Sequence, residues 1–121
     1  MSYLQQTKDM YDMIQGGKML DAFEKYYHEN VIMVEATGEA REGKDKNREF
    51  ETNWLSSIQE YHGGGVTAMT SNEETGQTAV ETWMDITFKD GTRYKMEEVA
   101  VQKWQGDKII HERFYYNMPG Q

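Results

Sequence analysis

The C-terminal part of the sequence alternates apolar and polar residues in long runs that meet at tight turns. Alternation at every second position is typical of a strand with one face packed on a core. Residues 89–91, Lys-Asp-Gly, suit a three-residue hairpin loop in which glycine takes the left-handed conformation. This loop pairs Met84 with Met96 across the hairpin, and further along it pairs Thr82 with Glu98. The sequence therefore predicts an antiparallel meander with a defined register.

Apolar residues at helical spacing precede this meander. The spacing predicts helices over 3–14, 18–29 and 44–61, a strand over 31–36, and then four strands over about 66–72, 77–88, 93–104 and 108–117. Helices gathered before a run of strands favour an α+β fold, with the helices covering one face of a curved sheet. No proline- or serine-rich linker and no repeat divides the sequence, so residues 1–121 are predicted to form a single domain.

The second hairpin turn, at residues 105–107, admits two registers. A three-residue loop separates apolar from polar side chains, whereas a two-residue Gly-Asp turn moves Glu112 to the other face. We therefore expect the three-residue loop, which puts Glu98 and Glu112 on the apolar face as diagonal neighbours, roughly 6 to 8 Å apart. An unpaired buried carboxylate costs several kcal/mol or takes up a proton. The two acids therefore predict a pocket and at least one raised pKa.

The charge of the chain limits its partners. It has 13 Lys and Arg against 21 Asp and Glu, for a net charge of −8, and the basic residues are scattered. Nucleic-acid binding needs a basic stripe, so we expect no nucleic-acid partner. No apolar run approaches the roughly 20 residues that span a membrane, and the N-terminus lacks the pattern of a signal peptide. The absence of cysteine fits a reducing cytoplasm.

Metal and cofactor sites have no clear pattern in the sequence. The three histidines are dispersed and cysteine is absent, which disfavours zinc. No run of acids matches a calcium loop, and no glycine-rich nucleotide fingerprint occurs. We therefore expect neither a metal nor a cofactor. His62, which follows the third predicted helix, is either a base in the pocket or a cation that caps the C-terminus of this helix.

Three segments resemble those of a known family: "AFEKYYHENVIMVEATG", a following helix with a central Trp, and "MDITFKDG…YKMEEVAVQKWQGDKIIHERFYY". They resemble the SnoaL-like proteins of the nuclear-transport-factor-2-like superfamily, which also includes scytalone dehydratase and ketosteroid isomerase. The resemblance covers essentially the whole chain. It implies a cone, in which three helices wrap a strongly curved mixed sheet around an internal pocket. It also implies homodimers through the outer sheet face, where Trp83, Val99, Val101 and Tyr115 are more apolar than a solvated face requires.

The enzymes of this superfamily can be compared position by position. The resemblance places Glu35 at the proton-shuttling acid of ketosteroid isomerase. The positions of that enzyme's oxyanion-binding Tyr and second Asp hold Met10 and Ala100, which disfavours steroid isomerisation. Scytalone dehydratase relies on paired histidines and tyrosines, for which His62 is a lone candidate. Polyketide cyclases need one acid/base carboxylate, and Glu35, Glu98 or Glu112 would serve.

Two functional hypotheses follow from these residues. In the first, the pocket binds a small apolar molecule that bears polar groups. The candidate proton carriers are Glu35, Glu98 and Glu112, because a buried carboxyl with a pKa near neutrality can both take and give a proton. The expected pocket wall consists of Trp54, Met84, Met96, Phe114, Tyr116 and His62. In the second hypothesis, the chain is a non-catalytic homodimeric association or ligand-binding module whose pocket is a remnant.

Overall fold

The computed structural model of the protein describes residues 1–117. Its elements are α1 (Tyr3–Gln15), α2 (Met19–Tyr26), β1 (Tyr27–Val34), β2 (Ala40–Glu42), α3 (Lys44–Ser56), β3 (Ile58–Asn72), β4 (Gln77–Phe88), β5 (Arg93–Gln105) and β6 (Lys108–Tyr116). The three helices pack on a six-stranded mixed sheet that is curled but not closed. The predicted α+β class, with helices on one face of a curved sheet, is confirmed.

The sheet places its first strand in the sequence, β1, beside its last, β6. Its strand order is β2-β1-β6-β5-β4-β3, with β1 and β6 parallel and the other neighbours antiparallel. Because Val34 at the end of β1 lies opposite Arg113 of β6, the residues that follow β1 come close to the last residues of β6. No helix within residues 1–117 is long and apolar enough to cross a membrane.

Two predicted helix ends are wrong, and strand pairing explains both. The second helix was expected to reach residue 29, but Tyr27 already pairs with Ile109 of β6 and begins β1. The third was expected to reach residue 61, but Ile58 already pairs with Phe88 of β4. In both places, hydrogen bonding to a distant strand outweighs the local helical spacing of apolar residues.

The glycines at residues 63–65 lie inside β3, which was expected to begin only at about residue 66. They pack against Trp83 of the neighbouring strand. A Cβ on Gly65 would lie 3.1 Å from the indole nitrogen of Trp83, and one on Gly64 would lie 2.9 Å from its backbone oxygen. A side chain at Gly64 would therefore push β3 away from the backbone of Trp83, whereas at Gly65 the indole would have to shift by a few tenths of an ångström.

The first predicted hairpin register is confirmed, and the second is wrong. Thr82 lies opposite Glu98 as expected. Gln105 pairs with Lys108 around a two-residue turn, and a bulge next to Trp104 then restores the alternation, so that Glu112 stays on the expected face. As a result Glu112 lies opposite Gln102 and Glu98 opposite Tyr116, and the two acids are not diagonal neighbours. The bulge also buries Ile109 rather than Ile110.

The inner face of the sheet, which packs against the helices, has two unlike halves. The closed half contains residues that are all buried: Thr78, Val80, Ala100, Gln102, Trp104, Ile109 and Glu112. It packs against a core that α1, α2 and β1 complete. The open half begins at the Thr82–Glu98–Tyr116 row, and its residues are all half-buried: Thr82, Met84, Met96, Glu98 and Tyr116. Phe114 is also half-buried, but it lies opposite Ala100, one row nearer the core, and packs against that core. Ile86, further along β4, is buried again.

Candidate functional site

Helix α3 turns polar residues towards the interior. Lys44, Asn47 and Glu51 are buried, although their spacing of three and four residues puts them on one helix face that would normally be apolar. Phe50, which the sequence places in the apolar stripe, is 39% exposed instead. Sequence reasoning therefore missed Glu51. The signal is present as polar residues at helical spacing, but the apolar residues at the same spacing, Phe50, Trp54, Leu55 and Ile58, predict a different buried face.

Arg41 is a buried cation beside Asn47 and Glu35. It lies on β2, with 4% of its surface exposed, and its Nε donates a 3.1 Å hydrogen bond to Asn47. Its Nη2 donates to Glu35 Oε2 at 2.7 Å. The guanidinium lies 3.4 Å from the centre of the Phe50 ring, which covers one of its faces. Its Nη1 is buried without a hydrogen-bond partner among the described residues.

Glu35 connects Arg41 to the last strand. It directly follows β1, and its second oxygen accepts a 2.7 Å hydrogen bond from the hydroxyl of Tyr116. Burial and the Glu35 carboxylate together raise the pKa of Tyr116 to about 12, so that this hydroxyl remains a donor. Glu35 is thus held at both oxygens, by a guanidinium and by a phenol.

Glu112 belongs to a buried hydrogen-bond network in the closed half. One oxygen accepts from the hydroxyl of Tyr27 at 2.5 Å, and the other from Gln102 Nε2 at 2.7 Å. Gln102 in turn accepts from Thr78, whose hydroxyl accepts from the Trp104 indole. Burial raises the pKa of Glu112 to about 7, while these hydrogen bonds lower it. Both oxygens of Glu112 are therefore already engaged inside the protein.

Glu98 and Glu51 differ from Glu112 in lacking such partners. Burial, followed by the charge of Glu112, raises the pKa of each to about 8, and no hydrogen bond contributes to either value. Glu98 is half-buried on the first row of the open half, opposite Tyr116. Glu51 is 9% exposed and lies near Arg41, whose charge lowers its pKa. At neutral pH both carboxyls hold protons in part, as a general acid or base must.

The residues predicted to form a pocket wall divide into two groups. Half-buried side chains of the inner face or of α3 include Trp54, Met84, Met96, Phe114 and Tyr116. Trp54 packs edge-to-face on Phe88 with ring centres 5.4 Å apart. His62 lies elsewhere: its Nε2 is 2.7 Å from the hydroxyl of Thr87, which follows inward-facing Ile86 and so belongs to the other face. In this structure His62 does not join the acids.

A groove of about 700 Å³ lies on the outer face of the sheet, away from the helices. Glu98 and Tyr116, which belong to the first row of the open half, lie at the border of this groove. Most of the other residues that line the groove have side chains on the outer face of the sheet. Its lining residues are Ala36, Thr67, Glu81, Thr82, Trp83, Lys95, Glu97, Glu98, Val99, Tyr115, Tyr116 and Asn117. Within the described part of the chain, no three His, Asp or Glu side chains are placed to hold a metal ion.

Comparison with protein families agrees with this architecture. The model of the SnoaL-like domain matches residues 1–116. The chain belongs to the SnoaL-like family. Among solved structures, it is similar to a protein from Mesorhizobium loti that is provisionally named a SnoaL-like polyketide cyclase and, in the same name, a carbohydrate phosphatase. The two share 31% identity over 96% of this chain and 100% of that one, with a TM-score of 0.83.

More distant structures share the fold of this SnoaL-like chain. A protein from Pseudomonas putida, provisionally named a polyketide cyclase, has 18% identity over 98% of this chain and 93% of its own, with a TM-score of 0.82. A protein from Catenulispora acidiphila with a ketosteroid isomerase-like fold, solved in complex with trimethylamine, has 14% identity over 91% of this chain and 84% of its own, with a TM-score of 0.74. A search of curated proteins finds no match.

Proposed function

We propose that the chain binds a small, mostly apolar molecule with polar groups in the open half of its interior, and that Glu98 exchanges a proton with it. One observation carries this proposal. Glu98 is a half-buried carboxyl with a pKa of about 8, without a hydrogen-bond partner among the described residues. It lies on the row where the buried core gives way to half-buried apolar side chains. A carboxyl in such a position is suited to acid/base exchange.

The other acids have supporting roles in this proposal. Glu112 is enclosed by Tyr27 and Gln102, so it stabilises the closed half and its charge helps to raise the pKa of Glu98. Glu35 is held by Arg41 and Tyr116 and positions both. Trp54, Met84, Met96 and Phe114 form the wall that excludes water. The reaction type, if the bound molecule is turned over, is proton transfer of the kind that cyclases and isomerases use.

The relatives support small-molecule binding in this fold. The structure from Catenulispora acidiphila holds trimethylamine. The Mesorhizobium loti and Pseudomonas putida proteins carry polyketide cyclase names. We therefore take a small organic molecule as the partner class for this chain. The cytoplasmic location that the cysteine-free sequence favours stays a prediction.

A titration with a matched control tests the role of Glu98. Ligand-detected NMR on a panel of small cyclic ketones, alcohols and amines would identify binders of the wild-type protein. Glu98→Gln is expected to weaken the best binder and to remove the pH dependence of its binding around pH 8, because the exchanging proton is lost. Glu97→Gln changes the neighbouring acid, which is exposed on the outer face, and is expected to change neither. Equal behaviour of the two variants would contradict the proposal.

A second candidate function, association as a homodimer, rests on the outer face of the sheet. Tyr115 is 51% exposed there, and it lies opposite Val99 in the strand pairing. With Trp83 and Val101, these side chains form an apolar patch whose burial in a second copy would be favourable. The alternative of a non-catalytic association module requires self-association through a face of this kind.

Two exposed tyrosines on opposite faces allow a controlled test of this dimer. Tyr115→Lys is expected to shift the protein from dimer to monomer in sedimentation equilibrium, because a charge then enters the apolar patch. Tyr61 is 54% exposed but lies opposite Ile86 on the inner face, so Tyr61→Lys is expected to leave the dimer intact. A wild-type protein that is monomeric at high concentration would rule the dimer out.

A further inference from the structure

We infer that Arg41 is a ligand-binding residue, and that its free Nη1 group donates hydrogen bonds to an uncharged acceptor oxygen of the bound molecule, such as that of a ketone, ester or amide. This inference rests on the proposed function, which places a small molecule in the same interior. It adds the group that recognises the molecule and the chemical class that this group selects.

The first argument is the incomplete use of the guanidinium. An arginine carries five N–H donors in a planar fork. One edge is committed, because Nε donates to Asn47 and Nη2 to Glu35. The corner formed by Nη1 is buried and has no acceptor within residues 1–117. A buried donor without a partner is unfavourable because it has lost its hydrogen bonds to water, so its retention calls for an acceptor that the described residues do not supply.

The second argument is that Arg41 is rigidly oriented. The Phe50 ring covers its face at 3.4 Å, and Asn47 is itself fixed by hydrogen bonds to the carbonyl oxygens of Arg41 and Gly43. A donor that is fixed before the ligand arrives loses little conformational entropy on binding. This arrangement is more than charge neutralisation of Glu35 requires, since a single contact would achieve that.

The third argument concerns the position of Arg41 relative to the open half. Glu35 bridges Arg41 to Tyr116, and Tyr116 lies opposite Glu98 on the first row of that half. Glu51 is close enough for its pKa to respond to the charge of Arg41. A neutral carboxyl at Glu51 offers an O–H donor, so a guanidinium and a carboxylic acid both present donors in this region.

The charges around Arg41 select among ligand classes. An anionic ligand would be repelled by Glu35 and by any ionised fraction of Glu51, Glu98 and Glu112. A cationic ligand would be repelled by Arg41 and would leave Nη1 without an acceptor. An uncharged oxygen acceptor satisfies the donor and adds no charge to the interior, so it has the lowest desolvation cost.

Four probes that share one ring separate these classes: cyclohexanone, cyclohexanol, cyclohexylammonium and cyclohexanecarboxylate. Their dissociation constants would be measured by NMR titration of the full-length protein. We expect cyclohexanone to bind at least about tenfold more tightly than the ammonium and the carboxylate. Arg41→Lys retains the charge but loses the fork, and is expected to weaken cyclohexanone binding about tenfold. Arg48→Lys is the matched control, because Arg48 pairs with Glu24 and Asp45 at the surface.

A second measurement uses the wild-type protein and follows the NMR signals of the Arg41 guanidinium. It does not depend on whether the Arg41→Lys variant folds. Cyclohexanone at saturation is expected to shift the Arg41 Nη resonances in nitrogen-detected spectra. Unmoved resonances, an unchanged dissociation constant in folded Arg41→Lys, or tightest binding of cyclohexylammonium would each overturn the inference while leaving small-molecule binding in place. Failure of all four probes to bind would instead remove the proposed function, and the inference with it.

Discussion

The closed and open halves of the inner sheet face use polar residues differently. In the closed half, Glu112 and Gln102 are enclosed, and each polar atom of theirs has a partner from another element. In the open half and beside it, Glu98 and the Nη1 of Arg41 have no partner among the described residues. Both halves contain costly buried polar groups, but only in one are the costs offset internally. The contrast separates residues whose polar groups are paired within the fold from the two groups that we propose contact a ligand.

The largest expected effect on stability concerns a buried apolar residue of the closed half, Ile109. Ile109 is fully buried and its neighbour Ile110 is half-buried on the other side of the bulge. Ile109→Ala is expected to lower the free energy of unfolding by about 3 to 4 kcal/mol through lost burial and a cavity, and Ile110→Ala by about 1 kcal/mol. Urea denaturation measures both values. A reversed order would show that the sheet lacks the bulge and that the closed half is differently built.

The next effect compares the two inner acids directly. Glu112→Leu leaves Tyr27 and Gln102 without their acceptor in the buried network and is expected to cost about 3 kcal/mol. Glu98→Leu removes a carboxyl that has no such partners and is expected to be neutral or stabilising. Thermal and urea unfolding of the two variants would measure this contrast. Equal destabilisation would mean that both acids are structural.

A smaller effect is expected in the pH dependence of stability. The folded pKa of Glu98, about 8, lies above its ordinary value of 4.5. The folded state therefore binds this proton more tightly than the unfolded state does. Its contribution to stability is full below about pH 4.5 and is lost as the pH rises to about 8. Glu51 and Glu112 have raised pKa values as well and add to this decline.

Variants of Glu98 isolate its share of the decline. Urea unfolding at pH 5 and pH 8 is expected to show a fall in wild-type stability that is smaller in Glu98→Gln, by on the order of 1 to 2 kcal/mol. Glu97→Gln, on the exposed outer face, is expected to keep the wild-type slope. If Glu98→Gln leaves the difference in unfolding free energy between pH 5 and pH 8 unchanged, the other acids cause the pH dependence of stability.

The smallest effect concerns the attachment of α1, which covers the closed half. Glu73, in the turn between β3 and β4, accepts hydrogen bonds from the backbone nitrogens of Tyr3 at 2.8 Å and Leu4 at 3.2 Å. Glu73→Gln is expected to lower the midpoint of thermal unfolding slightly, because a carboxylate at a helix N-terminus is favourable. Glu74→Gln, at the next position, serves as control. Binding of the proposed ligand is expected to be unchanged in both variants.

Much of the fold was predictable from local patterns. The loop at residues 89–91 gave the correct register for the first hairpin, since turn chemistry and alternation agree there. The register of the second hairpin was predicted wrongly, because a two-residue turn followed by a bulge leaves the same side chains on the inner face as a three-residue loop does. The face of Glu112 was therefore predicted correctly while its partner was not. A bulge has no reliable signature in alternation alone.

The candidate site was predicted only in part. Acids on the inner face were expected at Glu98 and Glu112, because polar residues interrupt an otherwise apolar series. Glu51 and Arg41 were missed as members of the site. Their burial results from the way α3 and β2 pack around Glu35 and not from any local pattern. Whether the named acids act in catalysis stays a prediction that the variants above test.

The sequence by itself determined the order of elements apart from the short strand β2, the α+β class and the side of the sheet on which the acids lie, because periodicity and turn residues act over a few positions. Tertiary structure alone decided which acids are enclosed and which remain without partners. Tyr27 reaches Glu112 across 85 positions and Tyr116 reaches Glu35 across 81. A carboxyl's pKa and role depend on such distant donors and on the burial they share, and neither quantity is encoded locally.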